Sequence, residues 1–310
     1  MTLRITPHRQ LQLSQDYAQE HLSKSNTLQN QISSGERIHR PSEDPEGQRT
    51  ILIQQQAIAR LETEVASIGF ARVYLNQANV ELLDANQILV QAKSLALEAR
   101  QSTEQVELDV IANELDGYLK TLDRIANASL NGRHLFAGAK NDAPPFTGIV
   151  DGPTQYHGSD RQGDVVLPTE ADITAFVSGQ ETFSFVNSDN TSRVEIFETI
   201  RGLRDELRTR EAYDAGEWGE KIDQRIDDLD QGSDHLLSVI GKQSVSLQQL
   251  DRLETRAEDL KLESQTLLTN TQSPDFASAI IQLQEEQNLL QYSLATVTRI
   301  FDLSVLDFLS

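Results

Sequence analysis

The sequence predicts a mainly α-helical protein, a rod of long helices with coiled-coil ends and a small β-rich outer domain inserted between them. Three observations carry this prediction. Apolar residues recur at steps of three and four over most of the chain, the spacing of one helix face. The pattern stops between Asn131 and Ser192, where glycine and proline cluster and short apolar runs replace it. It also reaches nearly to both ends, where chains are usually polar and frayed.

The first helix is predicted over residues 9–33, with Leu11, Ala18, Leu22, Leu28 and Ile32 in a loose seam. Gly35 reads as its stop, because glycine readily takes the left-handed conformation past a last turn. The run Pro41-Ser42-Glu43-Asp44-Pro45 cannot be regular helix, since each proline lacks a donor and restricts the residue before it. Glu43 and Asp44 precede a long helix and favour its positive N-terminal end, so this turn reads as structural first and as a subunit contact second.

That long helix is predicted over residues 47–100, with Leu61, Ile68, Leu75, Leu82 and Leu89 in its seam and alanines toward its end. At 1.5 Å per residue it would be ~80 Å long. A further helix is read over 105–129, with Leu108, Ile111, Leu115, Leu122 and Ile125 on one face. Residues 164–167 and 182–186 read as strands. Helix resumes near Val194 and again from about Trp218 toward Thr269, until Pro274 breaks it. The last helix carries Ile280, Leu283, Leu290, Leu294, Val297 and Phe301, continued by Leu306. Ile281, Leu289 and Ile300 widen its apolar arc beyond what one neighbouring helix covers.

The predicted organisation is therefore a terminal coiled-coil assembly domain (1–40 with 275–310), a helical rod (41–140 with 193–274) and a β-rich outer insert (141–192). The terminal seams are read as an assembly interface.

Composition narrows function by exclusion. A formal charge of −21, from 48 acidic and 27 basic residues, repels phosphate backbones and anionic membrane surfaces, so neither nucleic acid nor membrane is an expected partner. There is no cysteine, hence no disulfide or thiolate metal site. No apolar run reaches membrane-spanning length, and Met1 to Pro7 lacks the apolar core of a cleaved secretory signal.

No catalytic, cofactor-binding or metal-binding residue is assigned. Gly241-Lys242 followed by Ser244 lacks the upstream glycine of a phosphate loop, position 236 being leucine. Asn187, Asp189, Thr191 and Glu198 have calcium-loop spacing, but Ser192 replaces the obligatory glycine and only two of the four are acidic. The histidines form no HExxH pair. The sequons at Asn127 and Asn190 read as coincidental.

Three segments, in order, resemble the flagellin superfamily and, within it, the hook–filament junction family of hook-associated protein 3. The first is Leu28 to Gly35 followed by Arg40 and the Pro41–Pro45 turn. The second is Asn131-Gly132-Arg133-His134-Leu135-Phe136-Ala137-Gly138, similar to that family's turn into its outer domain. The third is the close, Ser304-Val-Leu-Asp-Phe-Leu309. The resemblance implies a structural subunit joining hook to filament as a ring of identical subunits. It also implies a neighbouring hook-associated protein and flagellin as partners, and an export chaperone at the C-terminal helix. Export through the flagellar type III channel to the cell exterior follows, without a cleaved signal. Filament flagellin is the nearest alternative, and a cytosolic coiled-coil scaffold a second.

Overall fold

The computed structural model describes residues 7–161, 163–166, 172–186 and 193–309. In chain order they form α1 (Pro7–Ser34), α2 (Pro45–Gln101), α3 (Gln105–Ala126), β1 (Ser129–Leu130), β2 (Arg133–His134), β3 (Phe146–Thr147) and β4 (Gln155–Tyr156). There follow β5 (Gly163–Val166), β6 (Asp172–Phe176), the short α4 (Gly179–Phe183), β7 (Ser184–Val186), β8 (Arg193–Glu195), α5 (Ile196–Arg208), α6 (Ala215–Gln272) and α7 (Phe276–Leu309). The strands pair as four antiparallel two-stranded sheets, β1 with β2, β3 with β4, β5 with β6 and β7 with β8. The mainly helical fold class with a β-containing middle is as predicted.

The chain divides into two compact units, residues 1–59 with 260–310, and residues 60–259. In the second unit the seam read from the sequence is the core. Ile68, Ala71, Leu75, Ala78, Leu82, Ala85, Leu89, Ala92, Ala96 and Ala99 of α2 are all buried. They join Leu108, Leu115 and Leu122 of α3, Ile200 and Leu203 of α5, and Ile222, Leu229 and Leu236 of α6. The small alanine side chains let neighbouring backbones approach closely, and the apolar area removed from water stabilises the group.

The predicted insert shares this core. Phe146 and Phe183 of the insert stack edge-on, with centroids 5.7 Å apart. Phe183 also meets Phe136 at 5.2 Å and Phe197 of α5 at 4.9 Å. Phe176 packs on Tyr74 of α2 at 4.9 Å, and the Tyr74 hydroxyl donates to the Leu130 carbonyl. These aromatics belong to the same buried cluster as the helices, so residues 141–192 are not a knob with a core of their own.

Two local expectations need correction. The helix from Gln105 ends at Ala126, not Ser129, because Ser129 already pairs with His134 across a hairpin. Its two-residue turn is Asn131-Gly132, with φ of 51° and 78°, the pair of left-handed residues such a tight hairpin requires. Residues 182–186 are not one strand either. Thr182 and Phe183 close α4, where the Thr182 amide bonds back to the Ser178 carbonyl, and only Ser184–Val186 pair with β8. The strand read over 164–167 is present through Val166, and Leu167 lies outside the described residues.

Candidate assembly surface

In the unit of residues 1–59 and 260–310, α1 and α7 lie along each other as antiparallel partners. His21 Nδ1 and Glu286 Oε2 are 2.6 Å apart across the pair, both side chains largely covered. The covered positions on α1 are Leu11, Ser14, Ala18, His21, Ser25, Leu28 and Ile32, and on α7 Ala279, Leu283, Glu286, Leu290, Ser293, Val297 and Ile300. Both sets alternate steps of three and four, the spacing of a coiled-coil seam. Counting outward from His21 and Glu286 sets Ala18 opposite Leu290, Ser25 opposite Leu283 and Leu11 opposite Val297. Each layer holds at most one large apolar side chain or two moderate ones, so the seam is thin.

The residues expected at the assembly interface therefore separate into two groups. Leu11, Ala18, Leu28 and Ile32 of α1, with Leu283, Leu290 and Val297 of α7, are buried or half-buried in the seam. Leu22, Ile280, Leu294 and Phe301 point to solvent. Leu294 and Phe301 are 53% and 49% exposed, although each falls one heptad or less from a seam residue. Leu289 and Tyr292 of α7, and Leu13 and Tyr17 of α1, are exposed too, but by helical spacing they fall on the other flank of the seam, with Ile281 on the outermost face between. The side chain of Leu306 lies outside the described residues, while its backbone belongs to α7. Reading by hydropathy alone merged the two groups into one stripe. Ala279, Glu286 and Ser293 complete the true seam, and their strict spacing was the signal that hydropathy hid.

The turn between α1 and α2 is held by named bonds. Gly35 has φ of 73° and its amide bonds the Gln31 carbonyl, the left-handed helix stop that the sequence predicts. Pro45 opens α2, where its missing N–H costs nothing. Asp44 caps that helix, accepting the Gly47 amide at 2.8 Å, and pairs with Arg37 at 2.9 Å. The Gly47 amide and then Arg37 hold the Asp44 carboxyl below its ordinary range. Glu43 departs from expectation. It accepts the His39 amide at 2.9 Å and the Arg40 amide at 3.3 Å, serving the turn and not the helix, and these bonds lower its pKa. The backbone amide of Arg37 donates to the Gln272 carbonyl at 2.7 Å, and its guanidinium to the Thr271 carbonyl, so the turn covers the C-terminal end of α6. Pro41 and Ser42 are exposed.

The second motif is placed within residues 60–259. Asn131 and Gly132 make the hairpin turn, and Arg133 lays its guanidinium 5.6 Å from the Phe70 ring. Phe136 and Ala137 are fully buried. Gly138 has φ of 59° and faces the Ser159 and Arg161 carbonyls so closely that a β-carbon would collide with them.

Residues 8–141 match the family described as the bacterial flagellin N-terminal helical region, a span that takes in α1, the Pro41–Pro45 turn, α2, α3 and the β1–β2 hairpin. Residues 8–141 thus form a flagellin-like N-terminal region. Across most of its length the chain is 24% identical, over 284 residues, to flagellar hook-associated protein 3 of Salmonella typhimurium, covering 87% of this chain and 88% of that protein. Two solved structures share the fold. A putative flagellar hook-associated protein from Vibrio parahaemolyticus superposes with a TM-score of 0.66 at 14% identity, over 74% of this chain and 100% of the other. Flagellar hook-associated protein 3 from Legionella pneumophila does so with a TM-score of 0.63 at 15% identity, over 71% and 98%.

Among the described residues no group of three histidine, aspartate or glutamate side chains is placed to hold a metal ion. Glu198, the last position of the calcium-like spacing, instead pairs with Arg201, and Asn187, Asp189, Thr191 and Ser192 lie outside the described residues. Among those residues no helix is long and apolar enough to cross a membrane.

Proposed function

We propose that this chain is a structural subunit of the bacterial flagellum that joins hook to filament by self-assembly through its terminal helices. The observation that carries the reading is the row of half-exposed large apolar residues on the outward side of the paired terminal helices, chiefly Ile280, Leu294 and Phe301. Covering the exposed half of one such side chain is worth about 1 kcal/mol, and a ring of identical subunits multiplies that contact. The likeness to hook-associated protein 3 across most of the chain favours the junction over the filament body. In this reading the neighbours are a second hook-associated protein and flagellin. The subunit reaches the cell exterior through the flagellar export channel, and an export chaperone covers the C-terminal helix until then.

The test is Leu294→Asp and Phe301→Asp in the intact protein. Either places a carboxylate where apolar surfaces would converge, and the contact opens rather than bury an unpaired charge. The expected result is unchanged secretion and thermal midpoint, normal hooks, and filament subunits released into the medium. Motile cells with normal filaments would overturn the reading, as would loss of the folded monomer.

A further inference from the structure

Within residues 60–259, a cleft of about 210 Å³ opens between α6 and the segment that leads into α4. Its floor is apolar, made of Leu75 of α2 with Val177 and Val239. His235, Lys242, Gln243 and Ser246 form one wall, their spacing setting them with Val239 on one face of α6. Glu181 and Thr182 of α4 form the other wall. His235 ties the two together, its Nε2 lying 2.8 Å from the Glu181 carbonyl and its ring stacking on Phe185.

Three polar groups of this cleft have no partner. Gln243 is 4% exposed, and neither the oxygen nor the nitrogen of its amide is bonded. Lys242 and Glu181 are exposed, and among the described residues neither has an ion-pair partner. The hydroxyls of Thr182 and Ser246 are already engaged, donating to the Ser178 and Lys242 carbonyls. An unpaired buried amide is costly, and the cleft is the open space into which its last torsion can turn.

These groups define their complement. Lys242 and the Gln243 nitrogen call for a carboxylate, and Glu181 and the Gln243 oxygen for a cationic donor. Donor and acceptor of the amide are adjacent, so the two ligand groups must be adjacent as well. A carboxylate and an ammonium on one carbon meet that condition, and the apolar floor suits a hydrocarbon side chain. A cavity of ~150 Å³ holds benzene, so this one has room for roughly eight non-hydrogen atoms, the size of valine or leucine.

We propose that the cleft binds a free α-amino acid with an aliphatic side chain, its carboxylate toward Lys242 and its ammonium toward Glu181. The site uses only residues 60–259 and stands whether or not the terminal helices assemble as proposed.

The test is titration of the full chain with L-leucine, followed by amide chemical shifts. The shifts should saturate and map to residues 177–182 and 239–246. N-acetyl-leucine lacks the ammonium and leucine amide lacks the carboxylate, so each should bind at least about tenfold more weakly. Lys242→Met should weaken leucine by a similar factor and leave leucine amide unchanged. Glu181→Gln should weaken leucine and leave N-acetyl-leucine unchanged. Both side chains are exposed, so neither variant should shift the thermal midpoint. No saturable shift up to the solubility limit of leucine would overturn the site and leave the cleft to water. Equal affinity for the three compounds would overturn the zwitterion, as would variants that bind leucine as the parent does.

Discussion

Asp44 divides its carboxylate between two tasks, one oxygen accepting the Gly47 amide at 2.8 Å and the other the Arg37 guanidinium at 2.9 Å. It thus starts α2 and fastens the residue whose backbone amide covers the end of α6. Protonation weakens both bonds, because a neutral carboxyl loses the charge that strengthens them and gives up one acceptor oxygen to its own proton.

The first prediction follows from the sign of that shift. Asp44, Glu43 and Asp275 of this unit all have folded-state pKa values held below their ordinary ones. Backbone amides dominate for Asp44 and Glu43, and the Ser278 hydroxyl for Asp275. A depressed carboxylate contributes stability above its unfolded pKa and loses it as pH falls through the folded value. Amide exchange in residues 35–48 should therefore accelerate as pH drops below about 4, after correction for intrinsic exchange. Asp44→Ala, which removes both acceptor oxygens, should produce much of that loosening at neutral pH. A pH-independent protection factor would contradict the assignment.

Two neighbouring positions on α7 should behave oppositely in the isolated protein. Leu290 sits in the seam with α1, whereas Leu294 is 53% exposed. Leu290→Asp should release α1 from α7, detected as lost helical signal and rapid proteolysis of both ends. Leu294→Asp should leave both unchanged. Equal sensitivity would mean that the seam is placed on the wrong face.

Phe197 offers a test of the shared core. It touches Phe146 at 5.3 Å and Phe183 at 4.9 Å, and is fully buried. Phe197→Ala should cost about 3–5 kcal/mol, the range for emptying a buried aromatic site. Replacing 141–192 with a short linker should do more, exposing Phe136 and Phe197 together and leaving dye-binding, poorly cooperative residues 60–259. Cooperative unfolding after that deletion would show that the helices suffice alone.

Gly138→Ala should be severe for its size. The left-handed backbone disfavours alanine by about 1–3 kcal/mol, before the collision with the Ser159 and Arg161 carbonyls is added. Gly132→Ala also meets positive φ, but nothing lies within reach of its β-carbon. Thermal denaturation should rank the first well below the second.

The helices were legible because burial imposes a period on the sequence, and α2 reports it through Ile68, Leu75, Leu82 and Leu89. The register of α1 on α7 was less so, since Ser14, Ser25, Glu286 and Ser293 occupy seam positions that hydropathy does not mark. Thr182-Phe183-Ser184-Phe185 alternates like a strand, yet the Ser178 carbonyl captures the Thr182 amide and starts a helical turn instead. The Asn131-Gly132 pair stood in plain view as a motif, and its hairpin follows from the one backbone shape both residues tolerate. The outward placement of Leu294 and Phe301 could not be read beforehand, because apolarity does not say whether a neighbour lies within the chain or beyond it.

His21 and Glu286 meet across 265 residues of sequence. Ribosomal synthesis must therefore finish nearly the whole chain before α1 can find α7, and loop closure over such a distance is slow. Until then the first helix has only the turn that follows it to pack against, through contacts such as Gln31 to the Arg37 carbonyl. A nascent subunit therefore stays open at its leading end throughout translation, and the terminal pair is the last part of the molecule to acquire its shape.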